Sequence, residues 1–271
     1  MDSAGEPFDN GSSSPARSME PEGRGEDASR VWERIASDYY RLFPPNDTVF
    51  SYGPLVASEA ELKLLGPVAG KKVLDLGCGA GSNAVALAKA GARVIAVDFS
   101  ESRLQIARRA AERAEVRVEF RRSELSELVF LPARTIDICV CIGSLNLVRD
   151  WGRLVRAVER VLDQKGIFVG AIEHPFWSVI SKANGSVVRT YSDPISFEAE
   201  LIPGRDDSRV AFNSITVSGL LGLLQREGFR VTSLVELEAT APPTDPYYRL
   251  YPPTLAKAIP PVLVFKAQPH G

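Results

Sequence analysis

The sequence predicts an α/β fold: a mostly parallel sheet of seven strands with helices on both faces. Three observations predict it. From Lys71 onward, short apolar runs alternate with stretches of helical period, the pattern of strand–helix–strand crossovers. A glycine-rich turn, Gly77-Cys78-Gly79-Ala80-Gly81, stands between the first apolar run and the helix after it. Of the 271 residues 45% are apolar and 24% charged, which is ordinary globular composition.

In chain order, residues 1–29 are rich in Ser, Gly, Pro and acids, with Phe8 the only aromatic, and are expected to be a disordered tail. Residues 30–70 form an N-terminal helical unit. Trp32, Ile35, Ala36, Tyr39 and Tyr40 recur at helical spacing, and Pro44-Pro45-Asn46 ends that helix. A second helix starts at Ser58, with Glu61 completing a capping box, and stops at Gly66-Pro67. The core, residues 71–268, then opens with a strand over 72–76, a helix over 82–90, a strand over 93–97 and a helix over 101–114. Strands over 116–120, 137–142 and 166–172 follow, with a helix over 151–162 between the last two. An insertion of about residues 174–215 contains two segments, 186–191 and 208–212, that read as strands or loop segments of a flap. A helix over 216–227 and strands over 229–237 and 262–266 complete the chain, the last two joined by a Pro- and Tyr-rich loop at 241–261.

Composition narrows the function. Lys+Arg number 32 and Asp+Glu 34, a net charge of -2, which speaks against a surface built for nucleic-acid phosphates. The arginines of 108–122 interleave with Glu112, Glu115 and Glu119, as on a solvated face. No apolar run approaches the roughly 20 residues of a membrane helix, and no basic-then-apolar leader opens the sequence. Cys78, Cys139 and Cys141 are an odd set without a C-x-x-C pair, so a reducing cytoplasm is expected. With only His174 and His270, a multi-histidine metal site is excluded and no metal is expected.

The glycine turn carries the sharpest signal, Val73-Leu74-Asp75-Leu76-Gly77-Cys78-Gly79-Ala80-Gly81. Glycines admit a ligand close to the backbone, and the helix N-terminus offers unpaired N–H groups. Ser82-Asn83 replaces the G-K-[ST] of a phosphate loop, and G-x-G-x-G is not the dinucleotide spacing G-x-G-x-x-G. Asp98 ends the second strand, where an acid can accept from both hydroxyls of a ribose; Ser123-Glu124-Leu125 follows the third. Three acids at neighbouring strand ends suit a cationic, ribose-bearing ligand better than a pyrophosphate.

These residues resemble the class I S-adenosylmethionine-dependent methyltransferases. Residues 75–81 match the family's first motif, Asp98 its second, and Ser123-Glu124-Leu125 its third, with Glu where Asp is more usual. Asp137-Ile138-Cys139-Val140-Cys141-Ile142 matches the fourth, and Leu162-Asp163-Gln164-Lys165-Gly166-Ile167-Phe168 the turn into the fifth strand, with Gln164-Lys165-Gly166 in place of Pro-Gly-Gly. The resemblance implies a Rossmann-like, doubly wound sheet with an antiparallel last strand, N-terminal lid helices and an acceptor-side insertion after the fifth strand. It implies S-adenosyl-L-methionine as cofactor, S-adenosyl-L-homocysteine as product and a small-molecule acceptor. For the cofactor it points to Asp75, Gly77, Cys78 and Gly79, to Asp98 and Phe99, to Glu124 and Leu125, and to Ile142 and Leu147, with Asn83, Arg103 and the lid residue Tyr39 beside them.

Methyl transfer from a sulfonium is an in-line displacement in which the protein chiefly positions donor and acceptor. An acceptor that must lose a proton needs a base. His174, just after the fifth strand, is either that base or a structural histidine holding a loop; Glu173 competes for the role. Trp32, Tyr40, Asn146, Phe176 and Trp177 are the expected acceptor contacts. The leading expectation is O-, N- or C-methylation of a small molecule in specialised metabolism. The alternatives are an RNA or protein methyltransferase on the same fold, and a relative that binds the cofactor without methylating, such as a cyclase, an isomerase or a regulatory protein. The oligomeric state stays open, a homodimer included.

Overall fold

The computed structural model describes residues 27–192 and 195–270. Helix α1 (Ala28–Leu42) starts on the Asp27 side chain, which accepts from Ser29 N, and buries Val31, Trp32, Ile35 and Ala36. It therefore includes two residues of the expected tail; the rest of that tail up to residue 26 lies outside the described residues. Helix α2 (Glu59–Leu62) has the expected capping box but only four residues. Lys63 turns left-handed, and the Glu59 carboxylate accepts from the N–H groups of Leu64, Leu65 and Gly66, which draws the chain out of the helix.

The core alternates as expected: β1 (Lys72–Leu76), α3 (Ser82–Lys89), β2 (Arg93–Asp98), α4 (Glu101–Arg113), β3 (Val118–Arg122), β4 (Ile136–Ile142), α5 (Trp151–Val161) and β5 (Leu162–Glu173). The insertion contributes β6 (Ile195–Glu200) and β7 (Arg209–Ser214); then come α6 (Val217–Arg226), β8 (Phe229–Leu237), α7 (Pro253–Ala256) and β9 (Val262–Pro269). Strand β3 begins two residues later than expected because the chain turns at Glu115, which has φ 55°. The segment at 186–191 is not a strand. Val187 and Val188 are β-branched, which suggested one, but both are exposed, and only Ile180 and Val187 form an isolated bridge. The segment at 208–212 falls on β7, which pairs antiparallel with β6 as the insertion's hairpin.

The large sheet has the order β3-β2-β1-β4-β5-β9-β8. Strands β1 to β5 run parallel, and β9 pairs antiparallel with both β5 and β8. Strand order reverses between β1 and β4, so a crevice opens beyond their C-terminal ends, where open α/β sheets bind ligands. One apolar cluster packs α5 and α6 on one face, around Leu74, Leu154, Phe168 and Phe265; another packs Val73, Leu87, Val94 and Val264 on the other. Two smaller clusters frame the crevice. One joins Val31 and Ile35 of α1 to Phe99, Leu147, Ile202 and Val210; the other joins Trp177, Val179 and Ile180 to Tyr251 and Ala256. Among the described residues, no helix is long and apolar enough to cross a membrane.

Candidate active site

Strand β1 delivers the chain to Gly77 and Gly79, which have φ 75° and 55°. Glycine is required here for space as well as for backbone angle. A Cβ on Gly77 would lie 2.1 Å from Ser144 Oγ, and one on Gly79 would lie 2.6 Å from an Arg103 guanidinium nitrogen and 2.7 Å from the Tyr40 hydroxyl. The turn thus presents bare backbone to a cavity of about 1200 Å³ lined by Asp75, Gly77, Cys78, Gly79, Ile142 and Leu147.

Asp75 is 2% exposed, yet its Oδ2 has no hydrogen-bond partner. Burial, and then the charge of Asp98, raise its carboxyl to a pKa of about 7, while the Arg103 cation acts in the opposite direction. A buried carboxylate oxygen without a donor, beside backbone cleared of side chains, fits a ligand that brings its own ammonium group.

Asp98 is fully buried and stands otherwise. Its Oδ2 accepts from Gly79 N at 2.9 Å and lies 3.4 Å from Arg103 Nη1; its Oδ1 accepts from Ser100 N at 3.0 Å. The Arg103 guanidinium lies 4.2 Å from the Trp32 ring centre and donates through Nε to the Tyr40 hydroxyl at 3.1 Å. Helix α1 therefore roofs this end. Its Glu33 carboxylate accepts from Glu101 N and Ser102 N at the start of α4, and its rim pairs with the β6–β7 turn through Asp38–Arg205 and Arg34–Asp207. Asp98, Phe99, Glu124 and Leu125 are not among the cavity-lining residues. Phe99 packs under α1, Leu125 is in the core, and Glu124 is exposed, its carboxyl raised by partial desolvation and then by the charges of Asp27, Glu127 and Asp98.

The acceptor side gathers at the end of β5. Glu173 lines the cavity; its backbone N donates to Asn146 Oδ1 at 3.1 Å, and its Oε1 accepts from Lys182 Nζ at 2.8 Å. Trp32, Tyr39, Tyr40 and Trp177 also line the cavity, as do Phe43, Tyr247 and Tyr251.

The other expected site residues stand as follows. His174 is not a cavity residue. Its Nδ1 accepts from Phe176 N, capping the 3₁₀ turn Pro175–Ser178, and its Nε2 lies 2.9 Å from Glu236 Oε1, so both ring nitrogens serve the framework. Phe176 is exposed and stacks between His174 and Tyr191 rather than facing an acceptor. Asn146 is at the cavity, but its amide bonds Glu173 N and Asn213 O, tying β5 to the hairpin. Asn83 also lines the cavity, and its amide clamps the backbone of Ser51 at both N–H and C=O. Sequence reasoning did not single out Ser144 or Lys182. Lys182 carries no motif; only its position shortly after the fifth strand could have pointed to it. Among the described residues, no group of three or more His, Cys, Asp or Glu is placed to hold a metal ion.

A strand–glycine turn–helix thus stands at the switch point, with one acid beneath the turn and a second at the next strand end. Residues 73–166 match a family model described as a methyltransferase domain. Over 118 residues the chain is 35% identical to a ubiquinone biosynthesis O-methyltransferase of Acinetobacter baylyi, a match covering 43% of this chain and 47% of that one. The chain thus spans about half the length of the curated relatives it matches. An S-adenosylmethionine-dependent methyltransferase from Mesorhizobium loti aligns over 77% of this chain and 95% of its own, with TM-score 0.61 and 26% identity. The N1-methyltransferase of 1,6-didemethyltoxoflavin from Burkholderia thailandensis, solved with that compound and S-adenosylhomocysteine, shares the fold over 93% of both chains, with TM-score 0.57 and 17% identity.

Proposed function

We propose that the protein transfers a methyl group from S-adenosylmethionine to a small-molecule acceptor. The observation that carries this reading is the single cavity joining Asp75 and the glycine turn to the Glu173–Trp177 side of the sheet. When bound, the cofactor supplies the sulfonium methyl group; positioning falls to the chain. Asp75 would hold the ammonium of the methionine moiety, and Gly77, Cys78 and Gly79 would let its chain approach the backbone. Ile142 and Leu147 would line the same end, and Tyr39 would cover it. Asp98 would take the ribose, with Phe99, Glu124 and Leu125 around the adenine, once Arg103 and α1 give room. Glu173, a carboxylate at the end of β5 that lines the cavity, is favoured over His174 as the group to accept an acceptor's proton.

The relatives named for an O-methylation in ubiquinone biosynthesis support a small molecule over RNA or protein as acceptor. The aromatic lining, Tyr39, Phe43, Trp177, Phe212 and Tyr247, supports a flat or apolar one of the kind specialised metabolism provides. Three buried free cysteines suit the reducing cytoplasm. The test is incubation with methyl-labelled S-adenosylmethionine and a metabolite panel, read by mass spectrometry. Label in a small molecule together with S-adenosylhomocysteine is expected; tight cofactor binding with no turnover on any acceptor would instead mark a non-methylating relative.

A further inference from the structure

Lys182 sits oddly for a cavity residue. Its Nζ is 2.8 Å from Glu173 Oε1, 4.6 Å from the Tyr251 ring centre and 5.6 Å from that of Trp177. The two rings meet edge to face, 5.1 Å apart at 89°. One carboxylate and two aromatic faces around an ammonium make a cation-binding cage, because ring faces carry negative charge density and the carboxylate a full one.

The walls of the cage are fixed and its occupant is not. Trp177 is 2% exposed, and its indole N–H donates to Pro260 O at 2.9 Å. Tyr251 is buried; burial, and then the Glu173 carboxylate to which its hydroxyl bonds, push that hydroxyl well above the ordinary phenol range, so it stays a donor. Glu173 is anchored by strand pairing to Val262 and by Asn146. Lys182 reaches in from the loop after the 3₁₀ turn on a flexible four-carbon stem, with its side chain 40% exposed. By contrast, Arg189 lies 4.6 Å from the Phe197 ring centre and donates to a backbone carbonyl, that of Ser178.

We infer that the cage of Glu173, Trp177 and Tyr251 takes a cationic nitrogen of the acceptor, in the place that Lys182 fills here. The inference rests on the acceptor-cavity reading above and adds a substrate class to it: an amine carried on an apolar or aromatic body. Exchanging one ammonium for another keeps Glu173 paired as Lys182 swings out to water. An anionic acceptor would have to take Lys182 from Glu173 and then lie against an unpaired carboxylate and two ring faces.

The full chain is titrated calorimetrically at neutral pH with phenethylammonium, and with 3-phenylpropionate as the anionic counterpart. The amine is expected to bind more tightly than the carboxylate. Lys182→Met, which vacates the cage but keeps an apolar stem, is expected to bind the amine about tenfold more tightly, and Glu173→Gln about tenfold more weakly. Stronger binding of 3-phenylpropionate, or loss of amine binding in Lys182→Met, would overturn the cage. The same samples are titrated with S-adenosylmethionine. Cofactor binding without amine binding overturns the cage and leaves the methyltransferase reading standing; amine binding without cofactor binding does the reverse.

Discussion

At one end of the crevice Asp75 is buried against an open cavity and keeps an oxygen without a donor. At the other, Asp98 on the neighbouring strand is as deeply buried, but Gly79, Ser100 and Arg103 occupy its oxygens and α1 lies across the guanidinium. The same residue type at adjacent strand ends is left hungry in one place and satisfied in the other. The difference teaches that backbone placement alone does not make a binding group; what covers the carboxylate decides whether its charge is available to a ligand.

Removing the hungry group should have the largest effect. Asp75→Asn is expected to weaken S-adenosylmethionine binding about 100-fold, the scale of a lost charge-assisted hydrogen bond in a buried site. The pH profile sharpens the test. With a folded-state pKa of about 7, Asp75 holds a proton below that pH and is a carboxylate above it. Affinity for the cofactor's ammonium should rise by up to about tenfold per pH unit as pH climbs toward 7, then level off, with a proton released on binding. The ligand-free fold should behave oppositely. It retains a proton that the unfolded chain gives up at ordinary carboxylate pH, so stability falls as pH rises through that window. Titration calorimetry in buffers of different ionisation enthalpy reads the proton; in Asp75→Asn both trends should flatten.

The satisfied end is broken next. Arg103→Met removes the cation from Asp98, Tyr40 and Trp32 and should cost about 2–3 kcal/mol of stability by chemical denaturation. It should also speed cofactor association, because the roof over Asp98 is loosened. Unchanged association in stopped-flow fluorescence would show that Arg103 does not restrict that end. The smallest effect is expected at His174→Asn, where a side-chain oxygen can still cap the Pro175–Ser178 turn. Turnover should stay within about twofold while the melting temperature drops a few degrees. A large loss of turnover would return the ring to the site.

The parts of the fold that follow local rules were readable from the chain. Strand–helix alternation, the capping box at Ser58 and Glu61, and the glycine turn all declare themselves within a few residues. The placement of the acids Asp75 and Asp98 was readable for the same reason, since each sits at a strand end that the pattern marks. The contents of the cavity were readable in part: Tyr40, Asn146, Glu173 and Trp177, singled out in the sequence, line it, whereas Ser144 and Lys182 carry no motif. Lys182 and Tyr251 come from separate segments and meet only through packing, and of the hairpin only β7 coincides with a segment that the pattern marked, 208–212. For His174 the sequence left a base and a structural role open, because rarity in composition says nothing about where a ring points; two framework bonds favour the structural one.

The attachment of α1 mixes two kinds of force with opposite sensitivities. Beneath the helix Val31 and Ile35 bury apolar surface against Phe99, Leu147, Ile202 and Val210, an attraction that weakens on cooling. At its rim Asp38 and Arg34 pair with Arg205 and Asp207 in partly solvated positions, an attraction that fades with ionic strength but hardly with cold. Salt and temperature are therefore separate handles on the roof: chilled, concentrated salt loosens both fastenings, and warm, dilute buffer tightens both.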